Sequence, residues 1–121
     1  MRNAILKLVA GFAFSLAAAS AFAHAQLEQA FPAVGGTVAA PSEIRLKFSE
    51  GVEPHFCTVA LSADGAGAVP LGALSLDPVD PSVLIAKVGK ALAPGVYTVT
   101  WHAVSVDTHK TQGSFSFTVM P

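Results

Sequence analysis

The sequence predicts an all-β protein, a two-sheet β-sandwich of Greek-key type with about seven strands. Three observations predict it. Short stretches alternate between apolar and polar residues, turn-forming residues separate those stretches, and no helical period of 3.6 residues persists after residue 23. Strands of this length and spacing are typical of sandwiches and barrels whose core is built from one face of each sheet.

The first 23 residues stand apart from this pattern. A basic start precedes an apolar run, 8–19, and the small-residue site Ala21-Phe22-Ala23 follows it. This arrangement is that of a secretory signal peptide, and the run is shorter than the ~20 apolar residues that a membrane span needs. We expect cleavage after residue 23, which divides the chain into a leader, 1–23, and one domain, 24–121. The mature protein then begins with His24.

The N-terminal half of the domain contains three extended stretches, 24–31, 44–48 and 56–61. The first is a short segment with two apolar anchors, and a loop rich in glycine and proline follows it. The second alternates strictly between apolar and polar residues, which indicates a strand with one buried face. The third ends at the turn Ala63-Asp64-Gly65.

The C-terminal half contains four more stretches: 69–76, 83–88, 96–104 and 113–119. The first of these is the weakest, because proline and glycine interrupt it, and we expect an edge strand or an irregular connection there. The third is the clearest, because Tyr97 and Trp101 share one apolar face, which we expect to lie in the core.

Charge and cysteine content exclude several classes of function. The mature domain carries five basic residues against eight acidic ones, a formal charge near −3, and it has no basic patch. This argues against binding to nucleic acid or to an anionic membrane surface. Cys57 is the single cysteine, so no internal disulfide forms. We expect it to be a buried, inert thiol; the alternative is a thiolate–imidazole pair with His55, which we expect to be exposed.

Potential metal ligands occur in two places. Asp107 and His109 are two residues apart in the loop after the 96–104 strand, and an extended backbone directs both side chains to one side. An N-terminal His24 offers an amine and an imidazole to one ion. Together these groups make an N₃O set, which favours Cu(II) without excluding zinc. The alternative is a solvated turn and a frayed terminus. The metal site also requires that the fold bring the first segment to this loop.

These stretches resemble the CopC-type periplasmic copper-binding proteins, and the likeness runs from His24 to the C-terminus. The most specific part is 101–110 together with Gly113. The other matching parts are His24-Ala25, Phe31-Pro32-Ala33, Gly35-Gly36-Thr37-Val38 and Leu46-Lys47-Phe48-Ser49-Glu50.

The resemblance implies a cupredoxin-like (immunoglobulin-like) sandwich that binds Cu(II). In it, His24 supplies the amine and imidazole nitrogens, His109 a third nitrogen and Asp107 an oxygen. Glu50 matches a glutamate that acts as a weak or axial ligand; the alternative is a charged strand end exposed to water. Some relatives also hold Cu(I) through a methionine-rich segment. Because the methionines here are Met1 and one next to the C-terminus, the chain resembles a Cu(II)-only subgroup.

The predicted function is that of a periplasmic Cu(II) carrier or buffer in copper homeostasis and resistance, and not an enzyme. The resemblance implies an inner-membrane copper transporter of the CopD type as a partner, and we expect a monomer without a membrane span in the mature chain. Two alternatives remain: a histidine-brace copper monooxygenase and a metal-free structural sandwich. His102 is predicted to be a surface histidine, with a supporting role behind the metal ligands as its alternative.

Overall fold

The computed structural model describes residues 26–121, which form two packed β-sheets. The strands are β1 (Leu27–Phe31), β2 (Thr37–Val38), β3 (Glu43–Phe48), β4 (Thr58–Ala63), β5 (Gly67–Val69), β6 (Leu71–Leu76), β7 (Val83–Val88), β8 (Gly95–Val104) and β9 (Lys110–Val119). One sheet has the order β1-β3-β7-β6 and the other the order β2-β9-β8-β4-β5. Neighbouring strands are antiparallel, except that β2 runs parallel to β9. The predicted all-β sandwich is confirmed; the predicted leader and His24 lie outside the described residues.

Strand β3 shows how alternation produces the sandwich. Its apolar residues Ile44, Leu46 and Phe48 are completely buried, while the charged residues between them are partly exposed on the outer face of the sheet. Two of those charged side chains form ion pairs with aspartates in the loop before β7. Arg45 pairs with Asp77 at 2.5 Å, and Lys47 pairs with Asp80 at 3.1 Å.

The core lies between the two sheets and centres on an aromatic contact. The rings of Phe48 and Trp101 meet edge to face at 5.2 Å, so one residue from each sheet contributes to the same contact. Gly113 lies opposite Trp101 in the β8–β9 ladder. A Cβ atom at Gly113 would lie 2.7 Å from Trp101 Cζ2, which means that the indole occupies the space above this glycine. Tyr97 is also buried, as predicted for its face of β8.

Several predicted boundaries are wrong. The described residues contain nine strands rather than about seven, because β2 was missed and the stretch 69–76 divides into β5 and β6. These two strands belong to different sheets, and Pro70 lies between them. Proline has no N–H for a ladder, so the chain leaves one sheet there and enters the other. The last strand begins earlier than predicted, at Lys110, because β9 pairs with β8 along ten residues.

The predicted strand 56–61 also begins late. Pro54–Phe56 forms a 3₁₀ turn, and β4 starts at Thr58. His55 is exposed and Cys57 is buried, as predicted, although neither lies in a strand. Burial raises the pKa of the Cys57 thiol, which favours its protonated and unreactive form.

No helix in the described part of the chain, residues 26–121, is long and apolar enough to cross a membrane.

Candidate metal centre

The loop 105–109 connects β8 to β9 at one end of the sandwich and has a closed geometry. The Ser105 N–H donates to the carbonyl of His109 at 2.9 Å, and the Thr108 N–H donates to the carbonyl of Ser105 at 2.9 Å. Thr108 has a φ of 71°, which is in the left-handed region and is strained for a β-branched residue. The loop therefore has one well-defined conformation between its two predicted ligands.

Asp107 and His109 are in contact, although the turn at Thr108, with φ of 71°, replaces the extended backbone that was predicted between them. Asp107 Oδ1 lies 3.2 Å from His109 Nδ1, and about half of each side chain is exposed. Asp107 also accepts a hydrogen bond from the Ser105 hydroxyl. That hydroxyl is the largest of the causes that lower the pKa of Asp107 to about 2. The Asp107 carboxylate is therefore an anion at neutral pH, accessible from solvent and beside an imidazole.

The segment that follows β3 is bound to the same loop. The Val106 N–H donates to the Gly51 carbonyl at 3.0 Å, and Val52 forms an antiparallel bridge with Ser105. A Cβ atom at Gly51 would lie 3.4 Å from Val106 Cγ1, so the two segments are also in close packing contact. The two segments therefore form one joined surface at this end of the sandwich.

Glu50 lies on that surface, and its carboxyl group is close to that of Asp107. Its Oε1 atom is buried and has no hydrogen-bond partner among the described residues. A buried carboxylate oxygen without a partner is energetically costly, because it loses its hydration without replacement. Glu50 is therefore not the fully solvated strand end that was its alternative interpretation.

The first described residue lies beside Glu50. The Gln26 N–H donates to Ser49 Oγ at 2.8 Å, and the Ser49 N–H donates to the Gln26 carbonyl at 2.8 Å. These bonds continue the antiparallel pairing of β1 with β3. The chain thus enters the sandwich at the end that carries the 105–109 loop. The metal site requires the first segment and this loop to lie at the same end, which the sequence alone could not show.

Of the four predicted ligands, Asp107 lies close to Glu50 and contacts His109. The fourth, His24, lies outside the described residues. Within residues 26–121, no group of three or more His, Cys, Asp and Glu side chains is arranged to hold a metal ion by itself.

His102 lies on β8 and faces away from the core. It is exposed, and its Nδ1 lies 3.3 Å from Thr58 Oγ1 on the neighbouring strand β4. This agrees with the prediction of a surface histidine. Ser105, in contrast, was missed: it is a fully buried polar residue in contact with both Asp107 and His109. Its position two residues before Asp107 was visible in the sequence, but its burial was not.

Comparison with known proteins identifies the family. The CopC domain family matches residues 27–120. The chain belongs to this family. Protein YobA of Escherichia coli K12 is 41% identical over 106 residues, which cover 87% of this chain and 86% of that protein. Copper resistance protein C of Escherichia coli is 36% identical over 118 residues, which cover 93% of this chain and 90% of that protein.

A solved structure supports the same assignment. PcoC, a methionine-rich copper resistance protein from Escherichia coli, superposes with a TM-score of 0.73 at 33% identity, covering 80% of this chain and 99% of that chain. The resemblance to CopC-type proteins and the sandwich fold are thereby confirmed. This CopC-family chain differs from its methionine-rich relative in composition, since it contains two methionines.

Proposed function

We propose that this chain is a periplasmic Cu(II)-binding protein that acts as a copper carrier or buffer in copper homeostasis and resistance, and not as an enzyme. A sequence relative and a solved structure with the same fold both carry names that refer to copper resistance. In this proposal the leader, 1–23, is removed and His24 becomes the N-terminal residue. His24 then binds Cu(II) through its amine and imidazole, His109 through a third nitrogen, and Asp107 through an oxygen.

The observation that carries the proposal is the position of Gln26. Its two hydrogen bonds with Ser49 hold the start of the domain one residue away from Glu50. His24 is two residues earlier, so its Cα lies within about 7 Å of that of Gln26 even in a fully extended chain. On so short a tether, an N-terminal amine and imidazole stay at the end of the sandwich that carries Asp107.

The side chains at this corner have the chemistry that Cu(II) prefers. Asp107 is anionic at neutral pH because its pKa is held at about 2, first by the Ser105 hydroxyl. His109 lies beside Asp107, with Nδ1 3.2 Å from Asp107 Oδ1, so a nitrogen donor and an oxygen donor are adjacent at this end of the sandwich. Glu50 adds a weak or axial oxygen, and a bound cation would compensate its buried Oε1.

The ligand types also favour Cu(II) over other ions. Imidazole, amine and carboxylate ligands suit Cu(II), which binds such sites more tightly than zinc does. Cu(I) prefers thioether sulfur, and Met120 is the one methionine after the leader. The proposed protein therefore handles the oxidised ion.

The resemblance alone adds the remaining parts of the proposal. The protein acts as a monomer and exchanges copper with an inner-membrane transporter of the CopD type.

The alternative function is that of an enzyme, a histidine-brace copper monooxygenase, and such enzymes need exposed aromatic residues around copper. Tyr97 and Trp101 are 5% and 6% exposed, so neither offers a stacking surface, and the exposed aromatic residues among those described are the phenylalanines Phe31 and Phe56. Sustained hydrogen peroxide production by the copper-loaded protein with a reductant would favour the enzyme instead.

The experiment is a Cu(II) titration of the processed protein and of two histidine variants. We expect one Cu(II) per chain and a loss of affinity of at least roughly 100-fold in His109→Ala, or about 2.7 kcal/mol. His102→Ala is the matched control, because His102 is also exposed but lies on β8, where its Nδ1 is 3.3 Å from Thr58 Oγ1. It should bind copper like the parent. Equal affinities for the parent and His109→Ala would refute the proposal.

A further inference from the structure

Ser105 is the polar residue whose environment the proposed ligand set does not explain. Its relative exposure is 0%, and buried polar side chains are uncommon in this core, where Ser82 is the other example among the described residues. A buried hydroxyl is unfavourable unless it is hydrogen bonded. Its partners therefore indicate why a serine is present there.

Every hydrogen-bonding group of Ser105 is directed into the loop that carries the two predicted ligands. Its hydroxyl donates to Asp107 Oδ1 and accepts from the His109 N–H at 3.2 Å. Its own N–H donates to the His109 carbonyl, and its carbonyl accepts from the Thr108 N–H, both at 2.9 Å. One buried residue thus fixes a side-chain oxygen of Asp107 and both backbone polar groups of His109.

Ser105 is itself held against the core of the sandwich. Ser105 forms the bridge with Val52, and Val52 is itself 2% exposed and part of the core. The loop residues that Ser105 holds are exposed, and Thr108 between them has the strained φ of 71°. An exposed, strained turn keeps one conformation only if its surroundings specify it. Ser105 is the buried residue that does so.

We propose that Ser105 is a positioning residue for copper: it orients the Asp107 carboxylate and fixes the backbone of His109, so that the carboxylate and the His109 imidazole reach the ion together. This inference rests on the proposed function. Without the hydroxyl, Asp107 can rotate about its side-chain torsions, and the His109 N–H loses a buried acceptor. Copper then has to order the loop when it binds, and part of the binding free energy is lost in doing so.

The test measures Cu(II) affinity in Ser105→Ala by competition with a chelator. Removal of a group that orients a ligand typically weakens metal binding by about 10- to 100-fold, and we expect a loss in that range. We also expect an altered electron paramagnetic resonance spectrum of bound Cu(II), because the oxygen ligand changes its orientation. A purely structural role would lower the thermal midpoint of the metal-free protein without changing that spectrum.

Ser82→Ala is the matched control. Ser82 is 9% exposed, and its hydroxyl also donates to an aspartate two residues away, Asp80 Oδ1 at 2.6 Å. The Ser82 hydroxyl thus bonds Asp80 rather than Asp107 or His109. Its removal in Ser82→Ala should therefore leave the copper affinity and the spectrum unchanged. A copper affinity that falls equally in Ser82→Ala and Ser105→Ala would overturn the inference.

A double-mutant cycle tests the route of the effect. If Ser105 acts mainly through Asp107, then in an Asp107→Ala background the further change Ser105→Ala should alter the affinity by less than about threefold. An undiminished effect in that background contradicts this route. Ser105→Thr keeps the hydroxyl on the same backbone and should retain most of the affinity. If Ser105→Ala does not fold, Ser105→Thr provides the test instead. A loss of Cu(II) affinity in Ser105→Thr as large as that in Asp107→Ala would overturn the inference.

The same set separates this inference from the proposed function. A parent protein that does not bind Cu(II), or an Asp107→Ala variant that binds it as tightly as the parent, overturns both. Tight binding by the parent and weak binding by Asp107→Ala, together with parent-like binding by Ser105→Ala, overturns the positioning role alone.

Discussion

Gly113→Ala should destabilise the sandwich by forcing Trp101 out of its position. The added Cβ would lie 2.7 Å from Cζ2 and 3.0 Å from Cε2 of the indole. Carbon atoms in contact are about 3.5 Å apart, so the two residues must separate by about 0.8 Å. Trp101 is 6% exposed and its ring packs edge to face on Phe48. The indole therefore cannot move without disturbing the centre of the core.

Overpacking of this kind costs about 1–3 kcal/mol of unfolding free energy. In a domain of this size, that corresponds to a thermal midpoint lower by roughly 5–20 °C. The chain has one tryptophan, so its fluorescence in urea and on heating reports directly on the affected residue.

Gly89→Ala is the matched control for this prediction. No heavy atom lies within 4 Å of a Cβ placed at Gly89. The same substitution there should leave the free energy of unfolding within about 1 kcal/mol of the parent, because the altered entropy of the unfolded chain is the main term. Equal stability of Gly113→Ala and Gly89→Ala would refute the packing of Trp101 over Gly113.

Two further predictions concern the carboxylates. Asp80 has a pKa lowered to about 2, first by the Ser82 hydroxyl, and Arg45 lowers the pKa of Asp77. A folded-state pKa below the unfolded value of about 3.9 means that this stabilisation is present above pH 4 and is lost as the pH falls toward 2. The urea midpoint should therefore be lower at pH 3 than at pH 6, with a smaller difference in Asp80→Asn; identical midpoints at the two pH values would contradict the assignment. Glu50→Gln should weaken Cu(II) binding by about tenfold, less than Asp107→Ala, because Glu50 is proposed as the weaker ligand. Glu53→Gln is its control, because Glu53 is a partly buried glutamate three residues further along the same segment, where its N–H donates to the Val104 carbonyl. A loss of affinity as large in Glu53→Gln as in Glu50→Gln would exclude a specific role for Glu50.

The parts of the fold that follow from local pattern were predictable. Strands β3 and β8 alternate clearly because one face of each is buried in the core, and both were predicted within one residue of their observed bounds. The two-residue strand β2 was not predictable, because it is defined by its parallel pairing with the distant strand β9 rather than by its own composition. The change of sheet at Pro70 likewise depends on which strand each half pairs with.

Some features of the candidate site were also predictable from the sequence, and others were not. Residue type singled out Asp107 and His109, but the turn that brings them into contact was predicted as extended backbone. The burial of Ser105 and the buried Oε1 of Glu50 depend on the bridge between Val52 and Ser105, a pairing between residues far apart in sequence. A single sequence shows neither, because burial is a property of the packed chain.

The central claim is that copper is held by an N-terminal histidine together with the 105–109 loop. The most direct measurement is the Cu(II) affinity of a processed protein that carries one extra alanine before His24, compared with a protein that carries it after Pro121. The extra residue keeps every side chain but separates the free amine from the His24 imidazole. We predict a loss of several tenfold steps, each about 1.4 kcal/mol, in the first protein and none in the second. Equal affinities in the two proteins would contradict the account.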